Sequence, residues 1–214
     1  MKRIYLYLII GFLFISCENQ QKSNINLDIL NGIDNMIDKE IKDNKIPGAV
    51  VLVGDENQIL FEKAYGIKNP KTKDKFKTDD IFRIASMTKA ITSFAVIKLW
   101  EKGMINLDDP IKKYIPEFEN VQILESFNEN DSSYTTKKRT KNITIRHLLT
   151  HTSGIGYDFI DSNPAIKAIY HKEKQSFMSN GVMCFCDDDV TIGESIKNLS
   201  IVPLHHEPGE KYTY

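Results

Sequence analysis

Between Ser86 and Lys102 the apolar residues Met87, Ala90, Ile91, Phe94, Ala95, Leu99 and Trp100 recur around most of the circumference of a helix. A helix without a continuous polar face has to be covered on nearly every side. This stretch therefore predicts a buried helix at the centre of a core, with Gly103 as its stop. Upstream, Leu27, Leu30, Ile33, Ile37 and Ile41 fall at helical spacing between Leu27 and Lys45, and Pro47-Gly48 breaks that pattern. Ala49 to Val53 then reads as a β-branched, largely buried strand, and Ile59 to Tyr65 as its antiparallel partner across the turn at Asp55-Glu56-Asn57. Gly66 to Asp80 is a lysine-rich loop.

Downstream, Thr144 to Leu149 predicts a short helix entering the loop His151-Thr152-Ser153-Gly154, and Val190 to Leu199 predicts another. No second hydrophobic strand set is visible before Tyr214. The run Lys137-Lys138-Arg139-Thr140-Lys141, inside the polar stretch Asn128 to Asn142, reads as a solvated loop. With 214 residues and 41% hydrophobic content the chain is long enough for one domain with a real core, or for part of a larger one. A formal net charge of −1 gives no electrostatic footprint for nucleic acid, which is not expected as a partner.

The N-terminus carries a targeting signal. Lys2-Arg3 precede an apolar run, Ile4 to Ile15, followed by Ser16-Cys17. A basic start, a short apolar core and a small residue before the cut describe a signal peptide. The run falls short of the roughly 20 residues that a membrane-spanning helix needs. Cys17 directly after Ser16 is similar to a bacterial lipobox. The expectation is a lipoprotein signal over residues 1–16, a lipidated Cys17, a polar tether over 17–25 and the folded portion over 26–214. The protein would then be exported and lipid-anchored to a bacterial membrane. The remaining pair, Cys184-Phe185-Cys186, is a weak metal signal and a poor fit to disulfide geometry, so two ordinary thiols are expected.

Ser86 and Lys89 carry the chemistry. Residues three apart share one helix face, so this spacing sets an amine beside a hydroxyl. A serine hydroxyl needs a base to become a nucleophile. An amine acting as that base must be neutral, which requires burial or nearby positive charge to hold its pKa down. Ser86 also sits at the predicted helix N-terminus, where free N–H groups stabilise developing negative charge. By spacing alone the pair reads more readily as a Ser N-cap with a solvent-facing Lys, since an S-x-x-K arises by chance about once in such a chain.

The surroundings narrow this. Asp80-Ile81-Phe82-Arg83-Ile84-Ala85-Ser86-Met87-Thr88-Lys89-Ala90-Ile91-Thr92 resembles the first motif of the β-lactamase-related serine hydrolases. That family includes class C β-lactamases, D-alanyl-D-alanine carboxypeptidases and family VIII esterases. The likeness continues through Leu99 to Pro110 and resumes in Ile143 to Ile155, which contains His147-Leu148-Leu149-Thr150-His151-Thr152-Ser153-Gly154. The resemblance implies an α+β fold of the serine β-lactamase and penicillin-binding-protein type, a helical region plus an antiparallel sheet, with the C-terminal strands missing from this sequence. It implies Ser86 as nucleophile, Lys89 as base and Tyr214 as the catalytic phenol of a Y-x-N motif introduced by Pro208-Gly209. It treats His147 and His151 as structural; their stretch lacks the Glu of a zinc-protease helix, and neither metal nor organic cofactor is expected. His205 and His206 stand where relatives commonly carry apolar residues.

The Asn after Tyr214 and a third motif such as K-T-G lie outside the sequence. The 214-residue chain is therefore expected not to turn over substrate by itself. Substrates implied for the parent protein are a β-lactam, a D-Ala-D-Ala peptide of peptidoglycan or a small ester. The alternatives are a non-catalytic penicillin- or peptidoglycan-binding sensor, or a non-functional gene fragment.

Overall fold

The computed structural model describes residues 27–175, 178–179, 182–183 and 190–214. Cys17, Cys184 and Cys186, and the expected segments 1–16 and 17–25, lie outside the described residues. The chain divides at Arg83–Ile84 into two compact units.

In the first unit, helix α1 (Leu27–Lys42) precedes strands β1 (Gly48–Gly54) and β2 (Ile59–Asn69). Leu30, on the apolar face of α1, is buried. On the same side Asp34 accepts hydrogen bonds from Tyr65 Oη (2.8 Å) and Lys63 Nζ (2.5 Å). Burial, and then the bond to Asp34, push the Tyr65 phenol up to about 12. β1 and β2 pair antiparallel from Gly48↔Gly66 to Gly54↔Ile59, with a register shift at Val53/Gly54. Gly66 has φ +79°, and a Cβ there would stand 2.3 Å from the Pro47 carbonyl oxygen. Only glycine lets β1 and β2 approach so closely at this end.

Two expectations change in this unit. β1 is half-buried, with Leu52 59% exposed, because one face of the hairpin has no layer on it within the unit. The stretch after Tyr65 is also more ordered than a lysine-rich loop. β2 runs on to Asn69, pairs with β3 (Asp74–Lys75), and turns through Asn69 Oδ1, which accepts the Lys71 N–H.

The second unit begins with a 3-10 turn at Ala85–Met87 that leads into α2 (Thr88–Glu101). Two further 3-10 turns, Ile111–Lys113 and Pro116–Asn120, lead to an antiparallel hairpin of β4 (Ile123–Phe127) and β5 (Tyr134–Lys137). Helices α3 (Ile145–Leu149) and α4 (Pro164–Lys172), the strand pair β6 (Met178–Ser179) and β7 (Val182–Met183), and helix α5 (Ile192–Asn198) follow. α3 starts where the sequence places it because Thr144 caps it. Its Oγ1 accepts the His147 N–H, and His147 Nδ1 accepts the Thr144 N–H.

The hairpin was not expected. Lys137 belongs to a strand rather than a solvated loop, and the alternating Thr135-Thr136-Lys137 concealed it because β5 contributes little apolar surface. Arg139 is also not simply solvated. Its guanidinium donates to the carbonyls of Phe118, Glu119, Val121 and Lys141 and to Asn142 Oδ1.

The core of this unit lies away from α2. One cluster joins Ile111, Phe118, Val121, Ile123, Ile143 and Leu204, and a second joins Ile166, Ile169, Tyr170 and Val202. α2 contributes no buried residue, and Met87, Ile91, Phe94, Leu99 and Trp100 are 40% to 67% exposed. The helix expected to be buried is therefore largely uncovered. Its half-buried side chains Lys89, Ser93, Val96 and Ile97 lie along one stripe.

The segment after α5 carries the chain past β4 and the loop after α3. Leu204 lies parallel to β4, with Leu204 N–H to Gln122 O at 2.8 Å and Leu124 N–H to Leu204 O at 2.9 Å. It then runs beside the loop after α3. His205, Gly209 and Thr213 donate their N–H groups to the carbonyls of Gly154, Thr152 and His151, each at 2.8 Å. Those three bonds deliver the last residue of the sequence to the start of α2.

Candidate active site

Ser86 stands in the 3-10 turn just ahead of α2, and Lys89 follows one turn later on the same face. Ala85, before the serine, has φ +44°. A non-glycine residue in that region costs about 1–2 kcal/mol, a strain the turn into α2 has to hold. Met87, the N-cap of α2, makes no side-chain cap. Met87 donates its N–H to Ile84 O at 3.0 Å and Thr88 its N–H to Ala85 O, so the N–H groups just after Ser86 are taken within the turn, and what the helix start offers an oxyanion is its dipole.

Tyr214 closes the group. Lys89 Nζ lies 3.2 Å from Ser86 Oγ and 3.1 Å from Tyr214 Oη, and Tyr214 Oη lies 2.7 Å from Ser86 Oγ. The three side chains named from the sequence thus come together in a triangle with every edge at hydrogen-bonding distance. Ser86 is exposed, Lys89 half-buried and Tyr214 37% exposed, so the group opens to solvent on the serine side.

The electrostatics differ from the expectation of a depressed lysine. The hydrogen bond to Tyr214 holds the Lys89 ammonium above its ordinary range, outweighing burial, with Tyr157 adding in the same direction. The Tyr214 phenol is held below its ordinary range, first by its hydrogen bond with Ser86 and then by the Lys89 ammonium. Lys89 is not buried deeply enough for desolvation to neutralise it, and its nearest titratable partner is an acid. The group in the triangle best placed to take the Ser86 proton is therefore the Tyr214 oxygen, with Lys89 supplying fixed positive charge.

Several residues that hold the site were not identified from the sequence. The His151 ring packs 4.9 Å from the Tyr214 ring and 5.7 Å from that of Tyr212. The ring of Tyr157 stacks on Tyr214 at 6.1 Å and 28°. His205 Nε2 meets Oδ2 of the buried Asp161 at 2.7 Å, and His206 Nε2 meets Thr213 Oγ1 at 2.8 Å. These contacts account for the two histidines that had no role in the sequence reading. His147 is spent on capping α3, and burial holds its pKa down. The four histidines serve separate contacts, and among the described residues no three His, Cys, Asp or Glu side chains are grouped to hold a metal ion.

Comparison with known proteins agrees with the geometry. The family model described as Beta-lactamase matches residues 33–214. Esterase EstB of Burkholderia gladioli is 29% identical over 182 residues, 85% of this chain and 41% of that protein. Protein flp of Staphylococcus aureus strain N315 is 30% identical over 182 residues, 85% of this chain and 30% of its own length. Among solved structures, EstCE1, a hydrolase with promiscuous acyltransferase activity, is similar with a TM-score of 0.68 at 23% identity. That similarity covers 86% of this chain and 43% of the other. Unliganded simvastatin synthase LovD from Aspergillus terreus gives 0.65 at 24% identity, covering 86% and 44%. The chain spans less than half the length of each of these proteins.

Proposed function

We propose, since the chain belongs to the β-lactamase family of serine hydrolases and acyltransferases, that Ser86 is the nucleophile of an acyl-transfer site for small carboxylic esters. The fold is the α+β architecture of that family, helices with small antiparallel sheets. The observation that carries the proposal is the triangle of Ser86 Oγ, Lys89 Nζ and Tyr214 Oη, with edges of 2.7 to 3.2 Å. Such a triangle supplies a nucleophile, a proton acceptor within direct reach and a fixed cation that favours the acceptor's ionised form.

In the proposed reaction the Ser86 hydroxyl gives its proton to the ionised Tyr214 oxygen as Ser86 Oγ bonds to the ester carbonyl carbon. The carbonyl oxygen takes up the negative charge at the N-terminal end of α2, where the helix dipole favours it. When the tetrahedral intermediate collapses, the bond to the alcohol oxygen breaks. Tyr214 returns the proton to that leaving alcohol, and an acyl group remains on Ser86. Water or a second alcohol then repeats the sequence in reverse. Lys89 stays an ammonium throughout.

Esters are chosen over β-lactams and D-Ala-D-Ala peptides because the relatives include one named as an esterase and one described as a hydrolase with acyltransferase activity. This reading departs from the expectation that the 214-residue chain is inert, and its test is release of p-nitrophenol from p-nitrophenyl butyrate by that chain, alongside nitrocefin and a D-Ala-D-Ala peptide. Ester cleavage that the others do not match, and that S86A abolishes, is the expected result. A stable penicillin adduct with no ester cleavage would instead favour a binding protein.

The reading also keeps the exported, lipid-anchored location drawn from Lys2-Arg3, Ile4–Ile15 and Cys17. Among the described residues no helix is long and apolar enough to cross a membrane. Incorporation of labelled palmitate that C17A abolishes is the expected outcome.

A further inference from the structure

We propose that Tyr157 is a positioning residue of this site, holding the Lys89 ammonium against the phenol oxygen of Tyr214. The inference rests on the acyl-transfer reading of Ser86 and deepens it.

Tyr157 stands beside both partners. Its ring lies along that of Tyr214, 6.1 Å away at 28°, and its phenol adds to the influences that hold the Lys89 ammonium up. Lys89 Nζ meanwhile sits 4.9 Å from the centre of the Tyr214 ring. The ammonium is therefore bracketed by two phenols. A lysine side chain has four rotatable carbons, and its bonds to Ser86 Oγ and Tyr214 Oη both lie on the solvent-open side of the group. A second phenol removes much of that freedom and keeps the charge where it lowers the Tyr214 pKa.

Tyr157 is itself fixed from behind. Its N–H donates to Asp161 Oδ2 at 3.3 Å, and its ring meets Phe159 edge-on at 5.8 Å. Asp161 is buried, accepts the Asn163 N–H at 2.8 Å, and is paired with His205 at 2.7 Å. His205 belongs to the segment that ends in Tyr214 and donates its own N–H to Gly154. The Asp161–His205 pair thus joins the loop that carries Tyr157 to the segment that carries Tyr214. The face-to-face placement of the two tyrosines follows from that link.

The groups around Tyr214 define what a titration would read. Ser86 and Lys89 face it from the start of α2, and His151 and Tyr157 from the segment after α3. Tyr212, on its own segment, packs against His151. Y157F keeps the ring stack and removes only the hydroxyl. Lys89 then leaves Tyr214 more often, and the phenol returns toward its ordinary value. Each unit of that return lowers the ionised fraction at neutral pH about tenfold.

The experiment is the pH profile of Ser86 acylation by p-nitrophenyl butyrate in wild type and Y157F between pH 6 and 10. The proposal expects the rising limb to move to higher pH in Y157F. The rate is lowered several-fold near neutrality and converges on wild type at the alkaline end, with an unchanged melting temperature. A loss equal at every pH, or no change, would overturn it. A second readout needs no activity: the fluorine NMR titration of Tyr214 in 3-fluorotyrosine-labelled protein, assigned through Y214F. Its midpoint should rise in Y157F, and an unmoved midpoint refutes the inference. If Ser86 is never acylated, the acyl-transfer reading fails, while the fluorine titration still decides whether Tyr157 sets the ionisation of Tyr214.

Discussion

Gly156→Ala tests whether the Asp161–His205 pair organises the site. A Cβ built at Gly156 would lie 2.5 Å from Asp161 Oδ2, 2.5 Å from His205 Nε2 and 3.0 Å from Ile166 Cγ2. Ordinary contact begins at 3.4 Å, so the carboxylate and the imidazole would each have to retreat by about 0.9 Å. Neither has room, because Ile166 is fully buried and both side chains are held at 2.7 Å from each other. Overpacking of this kind costs about 1–3 kcal/mol. Separating a buried carboxylate from its partner costs about 3–5 kcal/mol, and the two effects overlap rather than add. The expected loss is about 3–5 kcal/mol, read as the shift in urea midpoint of the purified protein at constant m-value. The carbonyl of Gly156 accepts the buried Tyr170 hydroxyl at 2.8 Å, so displacement spreads into the second core cluster. A G156A protein within 0.5 kcal/mol of wild type would refute the reasoning, because it would mean the pair is not confined.

Three further outcomes follow from other parts of the molecule. R139K removes a guanidinium that serves the carbonyls of the buried residues Phe118 and Val121 together with Glu119 and Lys141. It should cost about 1–3 kcal/mol by denaturant unfolding, since one ammonium cannot span them all. T144A deletes the cap of α3 and should cost about 1 kcal/mol in the same assay, with T144S recovering most of the loss. The acylation rate of the wild-type site should be bell-shaped in pH. It rises as Tyr214 loses its proton, below the ordinary phenol range, and falls as Lys89 loses its proton, above the ordinary amine range. A falling limb near neutrality, measured by stopped-flow release of p-nitrophenol, would assign the base to another group.

What the sequence could disclose is sorted by distance along the chain. Helix spacing put Ser86 and Lys89 side by side, but the flanking resemblance was needed to give them a role, and the helix from Thr144 was legible because its signal lies within a few residues. The β1–β2 pairing followed from β-branched runs and a turn. Tyr214 was legible only through resemblance, since 125 residues separate it from Lys89 and no periodicity reports such a contact. Tyr157, Asp161 and His205 had no local signature. Asp161 and His205 lie 44 residues apart, and nothing local in the sequence pairs them before the fold does. β5 was hidden by its threonines and lysine, whose pairing with β4 owes more to backbone bonds than to apolar faces. The all-round apolar pattern of α2 correctly gave a helix, but burial depends on what is packed against it, and the core of this unit forms around Ile123, Ile143 and Leu204 instead. The protonation states could not come from sequence either. They depend on which oxygen sits 3.1 Å from Lys89 Nζ.

The central claim is that Ser86 becomes a nucleophile because Tyr214 and Lys89 touch it. The most direct test is covalent labelling with a fluorophosphonate probe, followed by mass spectrometry of the peptide that holds Ser86. One label per chain on Ser86 is predicted, absent in S86A and strongly reduced in Y214F and K89M at unchanged melting temperature. Labelling that persists in S86A, or that proceeds equally in Y214F and K89M, would contradict the account.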